Sequence, residues 1–241
     1  MKDLDFLDEC TNDQLAPLVK LILDRGRSEE LSKEPLYKEY TPNHKMYLLL
    51  IKKEILRFGG YTGLNQLMEP PTYHEIVQKV CKKLDVPFHE KASTTRMENA
   101  ILEKMLWDMW SNLDAQRRHE LLSILQENFV QLKGKELTGD MLMKIFQAGG
   151  AAAGIIAGVM GQGLATALLG RSVMMIGGAA AAGIVGAVGR MVIPIGNVFF
   201  AVYLLEKLLG PAYSVIVPAV VHIAILRKIR IYEDVHASSS I

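Results

Sequence analysis

The sequence IFQAGGAAAGIIAGVMGQGLATALLG, residues 145–170, contains no charged side chain and consists mainly of glycine, alanine and larger aliphatic residues. It begins a longer apolar region that ends at residue 226. Only four charged residues interrupt that region: Arg171, Arg190, Glu206 and Lys207. Helices of this composition must be covered by lipid, by a partner or by their own fold, because so much apolar surface is unfavourable in water.

The first 144 residues have the opposite character. The chain contains 27 basic and 26 acidic residues, of which residues 145–241 hold only six and three. The N-terminal part therefore has a densely charged, solvated surface with nearly balanced signs. A net charge of +1 gives no electrostatic reason to expect nucleic acid as a partner.

Capping patterns and apolar spacing predict the N-terminal helices. Three residue pairs match the capping box, in which two side chains satisfy the first amides of a helix: Thr11 with Gln14, Thr72 with Glu75, and Thr95 with Glu98. The first pair predicts a helix over about residues 12–24, although Pro17 could delay its start. The third precedes a long apolar stripe that ends at Leu113. Because no segment alternates like a strand, the sequence predicts an all-α fold with a soluble amphipathic bundle over residues 1–144.

Two further features of this bundle concern the segment around residues 24–60. The charged residues 24–38 are expected to form a loop with a short helix near Leu31. Thr41 followed by Pro42 predicts the start of the next helix. Gly59 and Gly60 are expected to end that helix through a left-handed turn.

The apolar region contains four uncharged runs: 145–170, 172–189, 191–205 and 208–226. A bilayer-spanning helix needs about 20 apolar residues, so the first run is long enough, the last nearly so, and the middle two are short. The sequence predicts a Gly/Ala-rich hairpin, with residues 146–169 packed against 173–189. Two further apolar helices follow, so that the apolar domain covers residues 145–228 and a flexible tail covers 229–241.

Small residues recur every fourth position in both arms of this hairpin. They form a glycine-zipper pattern that lets helix backbones approach closely, within the chain or between copies of it. We expect six residues to serve helix packing or oligomerisation: Gly150, Gly154, Gly158, Gly178, Ala182 and Gly186.

Cationic residues flank the apolar runs at positions suited to a membrane interface. These are Arg171, Arg190, Arg227, Lys228 and Arg230. The N-terminus, MKDLDFLDEC, is acidic and lacks the features of a secretory signal, which places the N-terminal half in the cytoplasm. Together with positive charge at the C-terminal end, this orientation would require two or four membrane crossings.

No catalytic, cofactor or metal site is predicted. His222 lies alone in an apolar run, where it could handle protons in a membrane, but a local hydrogen bond is the simpler interpretation. The other histidines singled out are expected on the surface: His44, His74, His89 and His119. Trp107 and Trp110 could lie at a membrane interface, although core packing is favoured. We therefore expect that the chain is not an enzyme.

The order of several motifs resembles the YaaW family of uncharacterised bacterial proteins. The matching features are DLDFL (3–7) with Cys10 and Gln14–Leu15, the helix end Phe58–Gly60, Asn65, Tyr73 with Ile76 and Val80, Glu98 and Leu102 with Trp110, and AYSVIVPAVVHIAILRK (212–228). The resemblance covers nearly the whole chain and implies a distant grouping with chaperones for ubiquinol–cytochrome c reductase assembly. It implies no catalytic residue.

Two hypotheses for function follow. In the first, the hairpin docks in or inserts into the cytoplasmic membrane, with lipid as its partner and with a homo-oligomer as a further expectation. In the second, the chain is a soluble chaperone or scaffold for a membrane complex, such as a respiratory complex. Its apolar half would then be buried in its own fold or against a membrane-protein client.

Overall fold

The computed structural model describes residues 2–25, 29–60, 70–170, 175 and 213–238. The α-helices are α1 (Asn12–Arg25), α2 (Glu29–Lys33), α3 (Pro35–Tyr40), α4 (Leu48–Gly60), α5 (Tyr73–Lys83), α6 (Thr94–Asn112), α7 (Ala115–Asn128), α8 (Gly139–Ala148), α9 (Gly150–Leu169) and α10 (Tyr213–Ser238). Short 3-10 helices cover Lys2–Glu9, His44–Tyr47 and Val130–Leu132. These described ranges contain no strand, and the all-α prediction is confirmed.

The chain divides into two compact units, and the division differs from the composition boundary at residue 144. The first unit comprises Met1–Ile101 with Tyr203–Ala224, and the second comprises Leu102–Val202 with Ile225–Ile241. The division therefore falls inside α6 and inside α10. Composition marks where charge disappears from the sequence, whereas the units reflect which helices pack together.

Helix α1 begins where its capping box predicts. The Thr11 amide donates to Gln14 Oε1 at 2.8 Å, and the Gln14 amide donates to Thr11 Oγ1 at 3.2 Å. Pro17 lies inside the helix and does not delay its start. The inward face of α1 buries Leu18 and Ile22 in the first unit.

The predicted role of Thr41 as an N-cap is wrong. Thr41 follows the end of α3, where its hydroxyl donates to the Tyr37 carbonyl at 2.7 Å. A 3-10 turn over His44–Tyr47 then leads into α4. A threonine hydroxyl can serve either end of a helix, because it both donates and accepts hydrogen bonds. The segment expected to be mainly a loop also contains α3 in addition to the short helix α2.

The capping box of α5 is confirmed, whereas the one expected for α6 is not. Thr72 and Glu75 make both reciprocal hydrogen bonds. At α6, the Arg96 amide donates to Ser93 Oγ at 3.3 Å, so Thr95 lies within the helix. The apolar stripe of α6 is buried as expected: Met97, Ile101, Leu102, Met105, Leu106, Met109 and Leu113.

Gly59 and Gly60 are the last residues of α4, but Gly59 has a packing role there. A Cβ atom at Gly59 would overlap the side chain of Ile76 in α5. The glycine thus permits close approach of two helices in the first unit. Neither glycine has the positive φ that the predicted left-handed turn requires.

The first apolar run is divided between two helices. Helix α8 ends at Ala148, Gly149 follows it, and α9 begins at Gly150; both glycines have positive φ, 76° and 68°. Gly170, with φ 66°, then ends α9 in the left-handed conformation favoured by glycine. The first arm of the predicted hairpin is therefore 150–169, and the second arm, 173–189, lies outside the described residues except for Met175.

The last helix is longer than the sequence predicts. Helix α10 continues through Pro218 and past the cationic residues to Ser238. Most of the expected flexible tail is thus helical, and residues 239–241 lie outside the described ranges. The third apolar run, 191–205, also lies outside them.

Candidate functional site

Helix α10 carries a histidine into the interior of the first unit. His222 is fully buried, and its Nε2 lies 2.7 Å from the backbone carbonyl oxygen of Gln14 in α1. Because a carbonyl only accepts, Nε2 must carry the proton, and Nδ1 is left as an acceptor. Among the described residues, no donor reaches that buried Nδ1 atom. The local hydrogen bond expected for this residue is therefore a contact between helices distant in sequence.

Burial lowers the pKa of His222 to about 4, and the hydrogen bond to the Gln14 carbonyl offsets part of that decrease. The imidazole is therefore neutral at neutral pH. A general acid or base works best when its pKa lies near the operating pH. The geometry favours a packing role for His222 over proton transfer.

The second unit shows where a glycine brings two apolar helices together. A Cβ atom at Gly161 of α9 would lie 2.8 Å from Ile225 Cγ2 of α10 and 3.1 Å from Met175 Cε. These distances are shorter than ordinary van der Waals contact, so the backbone of α9 approaches its neighbours closely at this point. Gly161 is not among the predicted glycine-zipper positions.

The predicted glycine-zipper positions are only partly described. Gly154 and Gly158 are buried in α9, whereas Gly150, the first residue of that helix, is exposed. Their role in packing or oligomerisation stays a prediction. The matching positions Gly178, Ala182 and Gly186 lie outside the described residues.

The cationic residues at the end of the apolar region are not all solvent-facing. Lys228 Nζ lies 4.6 Å from the centre of the Phe146 ring in α8, which is a cation–π distance. Burial lowers the pKa of Lys228, and Glu103 opposes that shift. Arg227 and Arg230 are partly exposed. Arg171 and Arg190 lie outside the described ranges, and membrane contact by the five cations stays a prediction.

One described helix has the length and composition of a membrane span. The window Ala152–Leu169 in α9 meets that test, but 72% of it is buried inside the protein. A mostly buried core helix of a soluble protein has the same length and composition, so this observation is weak support for membrane crossing.

The two tryptophans have different environments in the second unit. Trp110 is buried, and the Arg118 guanidinium lies 4.9 Å from its ring centre. A Cβ atom at Gly139 would lie 2.8 Å from Trp110 Cδ1, so this ring packs tightly against α8. Trp107 is 44% exposed. Core packing is confirmed for Trp110 and not for Trp107.

Buried polar pairs are the main feature that sequence reasoning missed. The Tyr73 hydroxyl donates to Glu98 Oε1 at 2.8 Å, and Glu98 is buried. His44, which the sequence places on the surface, is also buried, with Nδ1 2.5 Å from the Tyr47 hydroxyl oxygen. The three-residue spacing of His44 and Tyr47 on one helical turn was the available signal.

Three features bear on catalytic chemistry in the part of the chain that the structure describes. In the first unit, a mostly apolar cleft of about 350 Å³ has two titratable residues, His89 and Arg96, among its described lining residues. No cluster of three His, Cys, Asp or Glu side chains suited to a metal is found within the described ranges. Burial raises the pKa of the Cys81 thiol to about 11, which makes it a poor nucleophile at neutral pH.

Comparisons with known proteins identify relatives of similar length. The chain is 24% identical to a UPF0174 protein of Helicobacter pylori strain J99, over 94% of this chain and 90% of the relative. A second UPF0174 protein of that strain is 29% identical over 83% of this chain and 97% of its own. The UPF0174 protein YaaW of Escherichia coli K12 is 28% identical over 94% and 93%. No family model matches, and no solved structure matches.

Proposed function

We propose, from the similarity of this chain to UPF0174 protein YaaW over most of its length, that it belongs to the YaaW family. We further propose that it is a non-enzymatic helical protein that docks on the cytoplasmic face of the inner membrane. The observation that carries the proposal is the charge distribution. Residues 171–212 contain only four charged side chains in a stretch long enough for two helices. Lipid is the cover we propose for this segment.

The burial of helices α9 and α10 favours docking over two or four membrane crossings. The apolar window of α9 is 72% buried, and His222 of α10 contacts a backbone carbonyl of α1. A helix that spans a bilayer faces lipid on much of its surface and leaves its polar groups to be satisfied within the membrane. These two helices are instead covered by protein, so the membrane need cover only the remaining apolar segment.

Several residues have proposed roles in the docked state. Gly178, Ala182 and Gly186 would allow close helix packing, either within the segment or between copies in an oligomer. Arg171 and Arg190 would contact lipid headgroups at its ends, together with Arg227 and Arg230. Membrane lipid is thus the proposed partner, and no cofactor is required.

Vesicle flotation combined with carbonate extraction tests this proposal. The full chain should float with vesicles of phosphatidylethanolamine and phosphatidylglycerol. In cell fractions it should sediment with membranes and be released by alkaline carbonate, because docked proteins lack a spanning helix. Retention after carbonate treatment would indicate crossing, whereas failure to float together with a wholly soluble cellular pool would overturn the proposal.

The second candidate is a soluble chaperone or scaffold for a membrane complex. The contact between His222 and Gln14 favours it, because part of the apolar half is covered by the chain's own N-terminal helices. Under this hypothesis the full chain would be a detergent-free monomer that does not float with lipid. Residues 171–212 would resist protease in that monomer, and a detergent requirement for solubility would contradict the candidate.

A further inference from the structure

Helix α4 and the turn before it carry an exposed apolar stripe in the first unit. Met46 and Leu49 are 51% and 53% exposed, and Lys53 is exposed one turn further along. Residues spaced by three and four positions lie on one face of a helix. The opposite face is covered, with Leu48, Ile51, Ile55 and Phe58 buried. The helix thus presents large apolar side chains to both the core and the solvent.

Helix α3 adds a third exposed apolar residue to this region. Leu36 is 44% exposed, and α3 packs against the 3-10 turn that carries Met46. Among the described residues, the other large exposed apolar side chains are Trp107 and Ile231, both in the second unit. Exposed apolar residues are therefore concentrated in a short segment of the chain, residues 36–49.

Hydrogen bonds and ring packing hold this region in place. The Tyr37 and Tyr47 rings pack edge to face with centroids 5.5 Å apart, which joins α3 to the turn. The Lys45 amide donates to Asn12 Oδ1 of α1 at 3.1 Å. The exposed side chains thus project from a fixed backbone, so binding would order little additional chain.

Within the segment itself, residues 36–53, the exposed charge is mainly positive. Lys38, Lys45 and Lys53 are exposed. The exposed acid in the same segment, Glu39, hydrogen-bonds to the Tyr40 hydroxyl. Lys52, on the buried side, contacts Asp8 at 3.0 Å and contributes no free positive charge. A convex surface of projecting aliphatic side chains between lysines fits the interface of an anionic bilayer, where lysine stems extend toward the headgroups.

We infer that the α3–α4 corner, comprising Leu36, Met46 and Leu49 with Lys45 and Lys53, is a docking surface for anionic phospholipid membranes. This inference rests on the proposed function and adds a second lipid contact in the first unit, separate in sequence from residues 171–212. Lipid is favoured over a protein partner because the exposed Met46 and Leu49 lie between exposed lysines, whose charge complements anionic headgroups.

The test uses the full chain and phosphatidylcholine vesicles with or without phosphatidylglycerol. Wild-type protein should bind the anionic vesicles more tightly, and salt should weaken the binding. Each lysine near an anionic surface contributes about a fivefold increase in affinity, so Lys45→Glu with Lys53→Glu should weaken binding by at least about 25-fold. Met46→Ser with Leu49→Ser should weaken it by about tenfold through lost apolar insertion.

Lys133→Glu with Lys135→Glu is the matched control, since both lysines are exposed in the second unit. It has the same charge change and should bind like the wild type. If wild-type protein binds vesicles and both corner variants bind equally well, the inference is wrong while membrane docking stands. An equal loss in the control would also overturn the corner assignment.

Two further outcomes would overturn the inference in different ways. If the wild type binds no vesicle of either composition, the proposed function fails as well. If instead Met46→Ser with Leu49→Ser dissociates a dimer seen by light scattering and leaves vesicle binding unchanged, the corner is occupied by a second copy of the chain.

Discussion

Helices α5 and α10 are buried in different ways. Helix α5 buries one face, formed by Tyr73, Ile76, Val77, Val80 and Cys81, and exposes charged residues on the other. Helix α10 is buried at every residue from Val215 to Leu226. The first pattern is typical of a helix on the surface of a bundle, and the second of a helix surrounded by other elements.

This difference shows that an apolar helix need not indicate lipid. Helices that are apolar on all sides occur in membranes and in the cores of soluble proteins, and composition alone does not separate them. The polar group in the helix is more informative. His222 of α10 bonds to a backbone carbonyl supplied by α1, which indicates a position inside the protein.

The largest predicted effect tests whether α9 is covered by protein as α10 is. Gly161→Leu would place a side chain against Ile225 and Met175, where even a Cβ atom lies too close. We expect the free energy of unfolding in urea to fall by about 3 kcal/mol. Ala167→Leu, at an exposed position of the same helix, should change it by less than about 0.5 kcal/mol. Equal stability of the two variants would contradict the packing of α9 against α10.

The next effect concerns the burial of α10 and depends on pH. The pKa of His222, about 4 when folded, lies below the ordinary value of 6.5, so the unfolded chain takes up a proton first. The stability of this neutral histidine is fully present above pH 6.5 and is lost as pH falls toward 4. We expect the unfolding free energy to decrease by about 2 kcal/mol between about pH 7 and pH 5.

His222→Asn is the control for this measurement. Its amide can donate to the Gln14 carbonyl but cannot take up a proton. The difference in unfolding free energy between wild type and variant should therefore change with pH in the window given by His222. A pH-independent difference would mean that the imidazole is hydrated, as at a surface, and that α10 is not buried on all sides.

Amphipathic helices could be predicted from the sequence because each carries its own signal. The stripe of α6 and the capping box of α5 are properties of a few neighbouring residues. The packing of α10 was not predictable in this way. The carbonyl that accepts from His222 belongs to a residue 208 positions earlier. An apolar run does not indicate which other segment of the chain packs against it.

The third prediction concerns helices that bury only one face, as α5 does. Thr72→Ala should lower the unfolding free energy by about 1 kcal/mol, because the Thr72 hydroxyl accepts from the Glu75 amide at the start of α5. Thr95→Ala is the matched change inside α6, where Ser93 makes the capping bond. It should have an effect of less than about 0.5 kcal/mol, since alanine favours a helix interior. Urea titration of both variants measures the difference.

The candidate site was less predictable than the fold. The glycine positions were chosen by spacing alone, whereas close approach in the described part of α9 is seen at Gly161. Spacing shows which residues share a helix face, but it does not show which face meets a neighbour. The exposed corner was missed for the same reason, because Leu49 lies among apolar residues that all look like core.

The smallest effect concerns the two faces of α4. Leu49→Ser should change the unfolding free energy by less than about 0.5 kcal/mol, because more than half of the side chain is already in water. Ile51→Ala, two residues away and fully buried, should lower it by about 3 kcal/mol. Urea titration without lipid makes this comparison. A loss of stability in Leu49→Ser comparable to that in Ile51→Ala would mean that Leu49 is covered in solution, and its effect on vesicle binding would then reflect unfolding instead of lost lipid contact.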